Sequence, residues 1–129
     1  MSIEEAVKAK IVDLQTDAEG RVFRGVIDQE PVMPAIAFWR TASPEVRRDV
    51  ETGQQLLQRA TIRVEVIART LAESDSVAEA LRAGLDGWHG LSAGVEVLRC
   101  AMTFQGDAST ADGDLLLRIV QQDYDVTYR

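Results

Sequence analysis

The side chains best suited to catalysis are few in this sequence. His89 is the only histidine and Cys100 the only cysteine among the 129 residues. Neither lies in a local motif that places a nucleophile beside a base. Asp123 and Asp125 share one face of a predicted strand, as an acid/base pair would. No neighbouring residues predict a pocket around them. We therefore expect no catalytic residues.

Three aspartates near residue 110 superficially suggest a cation-binding loop. Asp107, Asp112 and Asp114 lack both the alternating aspartate spacing and the bidentate glutamate of a calcium loop. The dipeptide Asp112-Gly113 is instead the one preferred in tight β-hairpin turns. Cys100 lies in an apolar strand pattern with Leu98, Met102 and Phe104, which is typical of a small buried hydrophobic residue. The sequence predicts neither a metal site nor a cofactor.

The composition narrows the classes of partner. The chain is 46% apolar and 27% charged, as in globular proteins, and its formal net charge is −7. An acidic chain without a dense Lys/Arg run is unsuited to binding nucleic acid or an anionic membrane. The longest apolar run, 35–39, is far too short for a membrane span, and the first residues do not resemble a secretory signal. We expect a protein made in a reducing cytoplasm.

Two amphipathic helices are predicted. Residues 2–16 carry apolar side chains three or four apart, and Ser2 and Glu5 have the spacing of a capping box. Ser76 and Glu79 have the same spacing before a second apolar stripe, which ends near Gly87. These patterns place one helix at the start of the chain and another after its midpoint.

Alternating and β-branched residues predict five strands, which are Val22–Ile27, Ala35–Thr41, Thr61–Thr70, Val95–Phe104 and Leu115–Tyr128. Strand Ala35–Thr41 is apolar on both faces, so it is predicted to be internal or covered by a partner. Segment Ser43–Gln58 permits either a short helix or a long hairpin that turns near Gly53. The whole chain, 1–129, is predicted to be a single α+β domain: a mostly antiparallel sheet of about five strands with two helices packed on one face.

Four local patterns resemble the phage tail-completion family, also called tail terminators or tail-to-head joining proteins. They are the start helix leading to Arg21-Val22-Phe23 and Pro34-Ala35-Ile36-Ala37-Phe38-Trp39; Gly53 before Ala60-Thr61-Ile62-Arg63-Val64-Glu65-Val66; the helix ending Ala80-Leu81-Arg82-Ala83-Gly84-Leu85-Asp86-Gly87; and the terminal Gln122-Asp123-Tyr124-Asp125-Val126-Thr127-Tyr128. Together with the order of elements, the resemblance covers nearly the whole chain.

The resemblance implies a structural virion protein of a bacteriophage or a gene transfer agent, not an enzyme. Such a protein forms a ring, commonly a hexamer, at the head-proximal end of the tail tube. The ring stops tube growth and joins the tail to the head–tail connector (stopper) protein. Its partners are further copies of itself, the tail tube protein and the connector, and genome DNA passes through its lumen without specific binding. It requires no cofactor and is assembled in the cytoplasm of the host bacterium.

Polar and aromatic residues on the predicted strands and the intervening segment are our candidates for subunit or tube contacts: Trp39, Arg47, Arg48, Gln54, Gln55, Arg63, Glu65 and Arg69. The same pattern of elements also fits a small α+β ligand-binding or regulatory domain, since fold does not fix function. That alternative needs a concave pocket with convergent polar groups. A compact enzyme that uses His89 with Asp123 or Asp125 is a further alternative.

Overall fold

The computed structural model describes residues 2–25, 33–41, 45–48, 55–112 and 115–129. Within them lie two α-helices and seven β-strands, in the order α1 (Ile3–Asp13), β1 (Val22–Arg24), β2 (Ala35–Arg40), β3 (Glu45–Arg48), β4 (Gln55–Ala68), α2 (Leu71–Leu85), β5 (Gly90–Ser92), β6 (Val95–Asp112) and β7 (Leu115–Tyr128). No helix in the described parts of the chain is long and apolar enough to cross a bilayer.

All seven strands belong to one sheet, in the order β1-β2-β4-β7-β6-β5, with β3 paired to β4 beside β2. Only the β1–β2 pair is parallel. The predicted α+β class with a mostly antiparallel sheet is confirmed, although the sheet has seven strands and not about five. Strand β2 is internal, as its two apolar faces predicted.

Two hairpins project from opposite ends of this sheet. At one end, β3 and β4 stay paired at Arg47–Leu57, beyond the last β4–β7 pair, Gln58–Tyr128. At the other end, β6 and β7 stay paired as far as Asp112–Leu115, past the last β4–β7 pair there, Ala68–Arg118. The subunit therefore carries a two-stranded extension at each end.

Both helices pack on one face of the sheet. In the central strands every second residue is buried, for example Val64 and Val66 in β4 and Val126 in β7. Helix α2 contacts β4, β6 and β7, while α1 contacts β1, β5 and α2. Because a strand alternates faces with a period of two and a helix presents a stripe, these patterns bury a single continuous core. No helix of the described residues packs on the other face of the sheet.

The helix starts differ in how well they were predicted. Helix α1 begins after Ser2, and its capping box with Glu5 is formed. Helix α2 begins at Leu71, because the Thr70 hydroxyl accepts a hydrogen bond from the Glu73 amide at 3.2 Å and so satisfies the first turn. The predicted start at Ser76 is therefore wrong, and Ser76 is a residue of the second turn.

The described residues of the segment Ser43–Gln58, which are 45–48 and 55–58, form paired strands and not a helix. Strand β3 pairs antiparallel with the first half of β4, from Glu45–Arg59 to Arg48–Gln55. The predicted turn at Gly53 lies outside the described residues. The sequence also missed β5, a three-residue strand that pairs with the start of β6.

The irregular pairing of β6 shows that one prediction, the direction in which Phe104 faces, is wrong. The β6–β7 register shifts between Met102 and Phe104, so Phe104 pairs with Asp123 while Met102 packs against the core. Cys100 is 2% exposed and is part of the core, as expected. Phe104, predicted to share its face, is 49% exposed. A bulge of this kind adds a residue on one strand and reverses the facing of those that follow.

Burial of Cys100 predicts a loss of stability in alkali. Burial, and secondarily the charges of Asp86 and Asp125, raises the pKa of its thiol from 9.0 to about 12. Below pH 9 the thiol is protonated in both states; above it, only the unfolded chain ionises, so stability falls as pH rises toward 12. We expect wild type to lose roughly 1 kcal/mol more than Cys100→Ala between pH 8 and pH 10 in urea unfolding experiments. Parallel pH profiles for the two proteins would contradict this.

Candidate functional site: the open face of the sheet

The sheet face opposite the helices, here called the open face, carries a row of four side chains across four strands. Trp39 of β2 pairs with Arg63 of β4, Arg63 with Asp123 of β7, and Asp123 with Phe104 of β6. Residues that are opposite one another in a sheet point to the same side. The row therefore runs aromatic, cation, anion, aromatic.

The centre of the row is a bidentate ion pair. Arg63 donates from Nε to Asp123 Oδ1 at 2.9 Å and from Nη2 to Asp123 Oδ2 at 3.2 Å. The hydrogen bond to Asp123 is the main cause of the raised pKa of Arg63. The two side chains are only 35% and 14% exposed. A forked pair held in this way presents a fixed, flat polar surface.

A second charged group lies one row away. Asp125 accepts hydrogen bonds from Arg59 Nη2 at 2.7 Å and from the Thr61 hydroxyl at 3.0 Å. Both aspartates that resembled an acid/base pair are thus engaged by arginines of β4. Both carboxylates are held by fixed hydrogen-bond donors, which suits a structural surface better than proton transfer.

The aromatic ends of the row stand among small residues. Trp39 is half-buried, and the next outward position on β2 is Ala37. The Phe104 ring lies over Gly106, where an added Cβ would come within 2.8 Å of Phe104 Cζ. Glycine at this position lets the ring lie flat against the strand. Exposed aromatic rings beside an arginine are the composition of a protein–protein contact.

The open face also contains a shallow depression of about 290 Å³ near the base of the β3–β4 hairpin. Leu57, Arg59, Arg99, Ala101 and Thr127 are among its lining residues. Its volume is at the lower limit for a small-molecule site. The depression makes this broad surface uneven.

Two solved structures share this architecture. A chain from the virion of a native gene transfer agent particle superposes with a TM-score of 0.67 and 12% identity, over 98% of this chain and 97% of that one. A second solved chain gives a TM-score of 0.63 and 19% identity, over 96% of this chain and 92% of its own length. These chains share one fold. No family profile matches the sequence, and no curated protein is significantly similar to it.

The structure brings three of the predicted contact residues together on the open face: Trp39, Arg63 and Glu65. Arg69 is exposed just past the end of β4. Arg47 and Arg48 lie in β3, and Gln55 is the first residue of β4. Gln54 lies outside the described residues. Whether these residues contact a subunit or a tube stays a prediction.

Sequence reasoning missed two members of the row. Phe104 was assigned to the core because regular alternation was assumed through the bulge. Asp123 was considered only together with Asp125 as an acid/base pair, and not as the partner of Arg63, which is 60 residues away in the sequence. The signal for Phe104 is the adjacent Gly106, a strand glycine that indicates a bulge or a close approach.

The residues considered for catalysis do not converge. His89 is exposed between Trp88 and β5, and Cys100 is buried near the same end of α2, where its carbonyl accepts a hydrogen bond from the Gly87 amide. Among the described residues, no hydrogen bond joins the His89 side chain to Cys100, Asp123 or Asp125. In the described part of the chain, no three His, Cys, Asp or Glu side chains are grouped as a metal site would require. The ion pair and the aromatic side chains of the open face are suited to binding a complementary protein surface.

Proposed function

We propose that this protein is a structural component of a phage or gene transfer agent virion, and that it forms a ring, most simply a hexamer, at the head-proximal end of the tail tube. The likeness to the gene transfer agent virion chain over nearly the full length of both chains carries the proposal. The open face supports it, since an aromatic and ionic row on a rigid sheet is suited to association.

In this role the protein acts by assembly and has no enzymatic activity. The ring stops growth of the tube and presents a surface to the head–tail connector, while genome DNA passes through its lumen. Ring closure requires two different, complementary patches on each subunit. The open face is our candidate for a further contact surface in the particle, and the net charge of −7 disfavours binding of the subunit to DNA phosphates.

Loss of the protein is expected to separate heads from tails. Without a cap on the growing end, cells lacking the gene should make filled heads and polymerised tubes that do not join, and the tubes should exceed their normal length. Electron microscopy of lysates checks both outcomes. Complementation with the wild-type gene is the control, and should restore joined particles whose tube end carries six-fold density.

Normal particles from the deletion strain would overturn the proposal. So would absence of the protein from purified particles, or its presence at the head end as a single copy. Changes at His89 bear on the enzyme alternative, since His89→Gln should leave particle yield unchanged. Loss of a measurable turnover in that variant would favour an enzyme.

A further inference from the structure

The outer edge of β6 is covered along only part of its length. Strand β5 pairs with its first three residues, Val95–Val97. The turn after α2 covers the next part, where the Gly87 amide donates to the Cys100 carbonyl at 2.7 Å and Asp86 accepts from the Met102 amide at 3.0 Å. Beyond Met102, no described residue pairs with this edge.

The pairing pattern shows which backbone groups point outward there. In an antiparallel pair, the backbone N–H and C=O groups of one residue bond to the partner strand, and those of the next residue point away from it. Cys100 and Met102, opposite Val126 and Tyr124, bond away from β7. After the bulge, the residues opposite Gln122, Val120 and Arg118 continue this series, and they are Gln105, Asp107 and Ser109. Their backbone N–H and C=O groups therefore point away from β7, toward the uncovered edge of β6.

Apart from the bulge at its start and its two aspartates, this part of the edge lacks the usual protection against strand addition. Native edges are commonly blocked by lysine, proline or a covering element. The segment 103–112 contains no lysine, arginine or proline, and the side chains of Gln105, Asp107 and Ser109 are exposed. A row of unpaired backbone groups is a template for an added strand.

A complementary edge lies at the opposite corner of the sheet. Strand β3 pairs only with β4 among the described strands. Thr61 of β4 bonds toward the β2 side, accepting from the Thr41 amide at 3.0 Å. By the same alternation, Val46, opposite Gln58, directs its backbone groups outward. By sequence, β3 contains Glu45, Arg47 and Arg48 and has a net positive charge, whereas the β6 segment contains Asp107 and Asp112 and is acidic.

We infer that the outer edge of β6 in one copy pairs with β3 of the next copy, which continues the sheet from subunit to subunit. The inference rests on the proposed ring, because it supplies the two different patches that a rotational assembly needs. Each copy pairs with one neighbour through its β6 edge and with the other neighbour through its β3 edge, and the two edges lie at opposite ends of the sheet.

Proline at Ser109 tests the pairing directly. Its N–H faces away from β7, so Ser109→Pro removes an intermolecular donor and keeps the internal ladder, as proline does on edge strands. We expect self-association in sedimentation velocity, and incorporation into particles, to fall by tenfold or more. Ser109→Ala, which keeps the N–H, should match wild type. Circular dichroism should show both variants folded.

A mixing experiment tests the head-to-tail arrangement. Val46→Pro blocks the other edge, so it and Ser109→Pro should each stay monomeric, whereas an equal mixture should form dimers and nothing larger. If Ser109→Pro forms rings as readily as wild type, the edge pairing is wrong, whereas the proposed ring still stands. Wild-type protein that neither associates nor enters particles would instead overturn the proposed function, and the pairing with it.

Discussion

Replacing Gln122 by glutamate is expected to cause a large loss of stability at neutral pH. Gln122 is fully buried, and its amide Nε2 donates to the Ala78 carbonyl at 2.9 Å and to Gln105 Oε1 at 3.0 Å. Its Oε1 accepts from the Tyr124 hydroxyl at 2.7 Å. Glutamate has the same shape but turns two donors into acceptors and buries a charge. We expect a loss of roughly 3–5 kcal/mol in the free energy of unfolding.

The loss should depend on pH in a defined direction. Burial raises the pKa of a carboxyl group, so the variant is least affected below pH 4, where the unfolded chain is also protonated, and loses stability as pH rises. Gln105→Glu makes the same chemical change on the exposed partner and should stay within about 0.5 kcal/mol of wild type. Urea unfolding of both variants at pH 4 and pH 7 measures this. Equal stabilities at pH 7 would show that the network is unimportant.

Truncation of Trp39 is expected to have the largest effect on assembly with the fold intact. Trp39→Ala removes one end of the aromatic and ionic row while leaving the Arg63–Asp123 pair in place. A tryptophan at the centre of an interface typically contributes about 2 kcal/mol or more, which is roughly a 30-fold change in affinity. Particle preparations should then contain free heads and free tails.

The control for Trp39→Ala is truncation of an exposed apolar residue elsewhere. Val12 is 41% exposed on α1, on the helix side of the sheet. Val12→Ala should give joined particles at the wild-type level. If Trp39→Ala gives the same yield as Val12→Ala, the open face is not a contact surface in the particle.

Local patterns predicted those elements whose sequence and environment agree. Helix α1 followed from its capping box and its stripe, and β7 was predicted with its observed bounds, Leu115–Tyr128. Thr70 shows where local reasoning fails. Thr70 and Ser76 both have a glutamate three residues on, and only the packing of α2 against β4 and β7 selects the earlier start.

The candidate site was harder to predict because its members meet through long-range pairing. Arg63 and Asp123 lie in neighbouring strands separated by 60 residues, and no periodicity within either strand reports the register between them. The bulge after Met102 then changed the face of Phe104. The charged and aromatic types at the site were visible in the sequence, but their arrangement depends on strand order.

The position of β7 has a consequence for synthesis in the cell. This strand holds residues 115–128, yet it lies between β4 and β6 in the middle of the sheet. Chain emerging from the ribosome cannot bring β4 and β6 into one sheet until β7 has followed them. An interrupted translation product therefore lacks the centre of its fold and is open to proteolysis. In the proposed assembly, only copies with β7 in place would associate, so incomplete chains would be kept out of the particle.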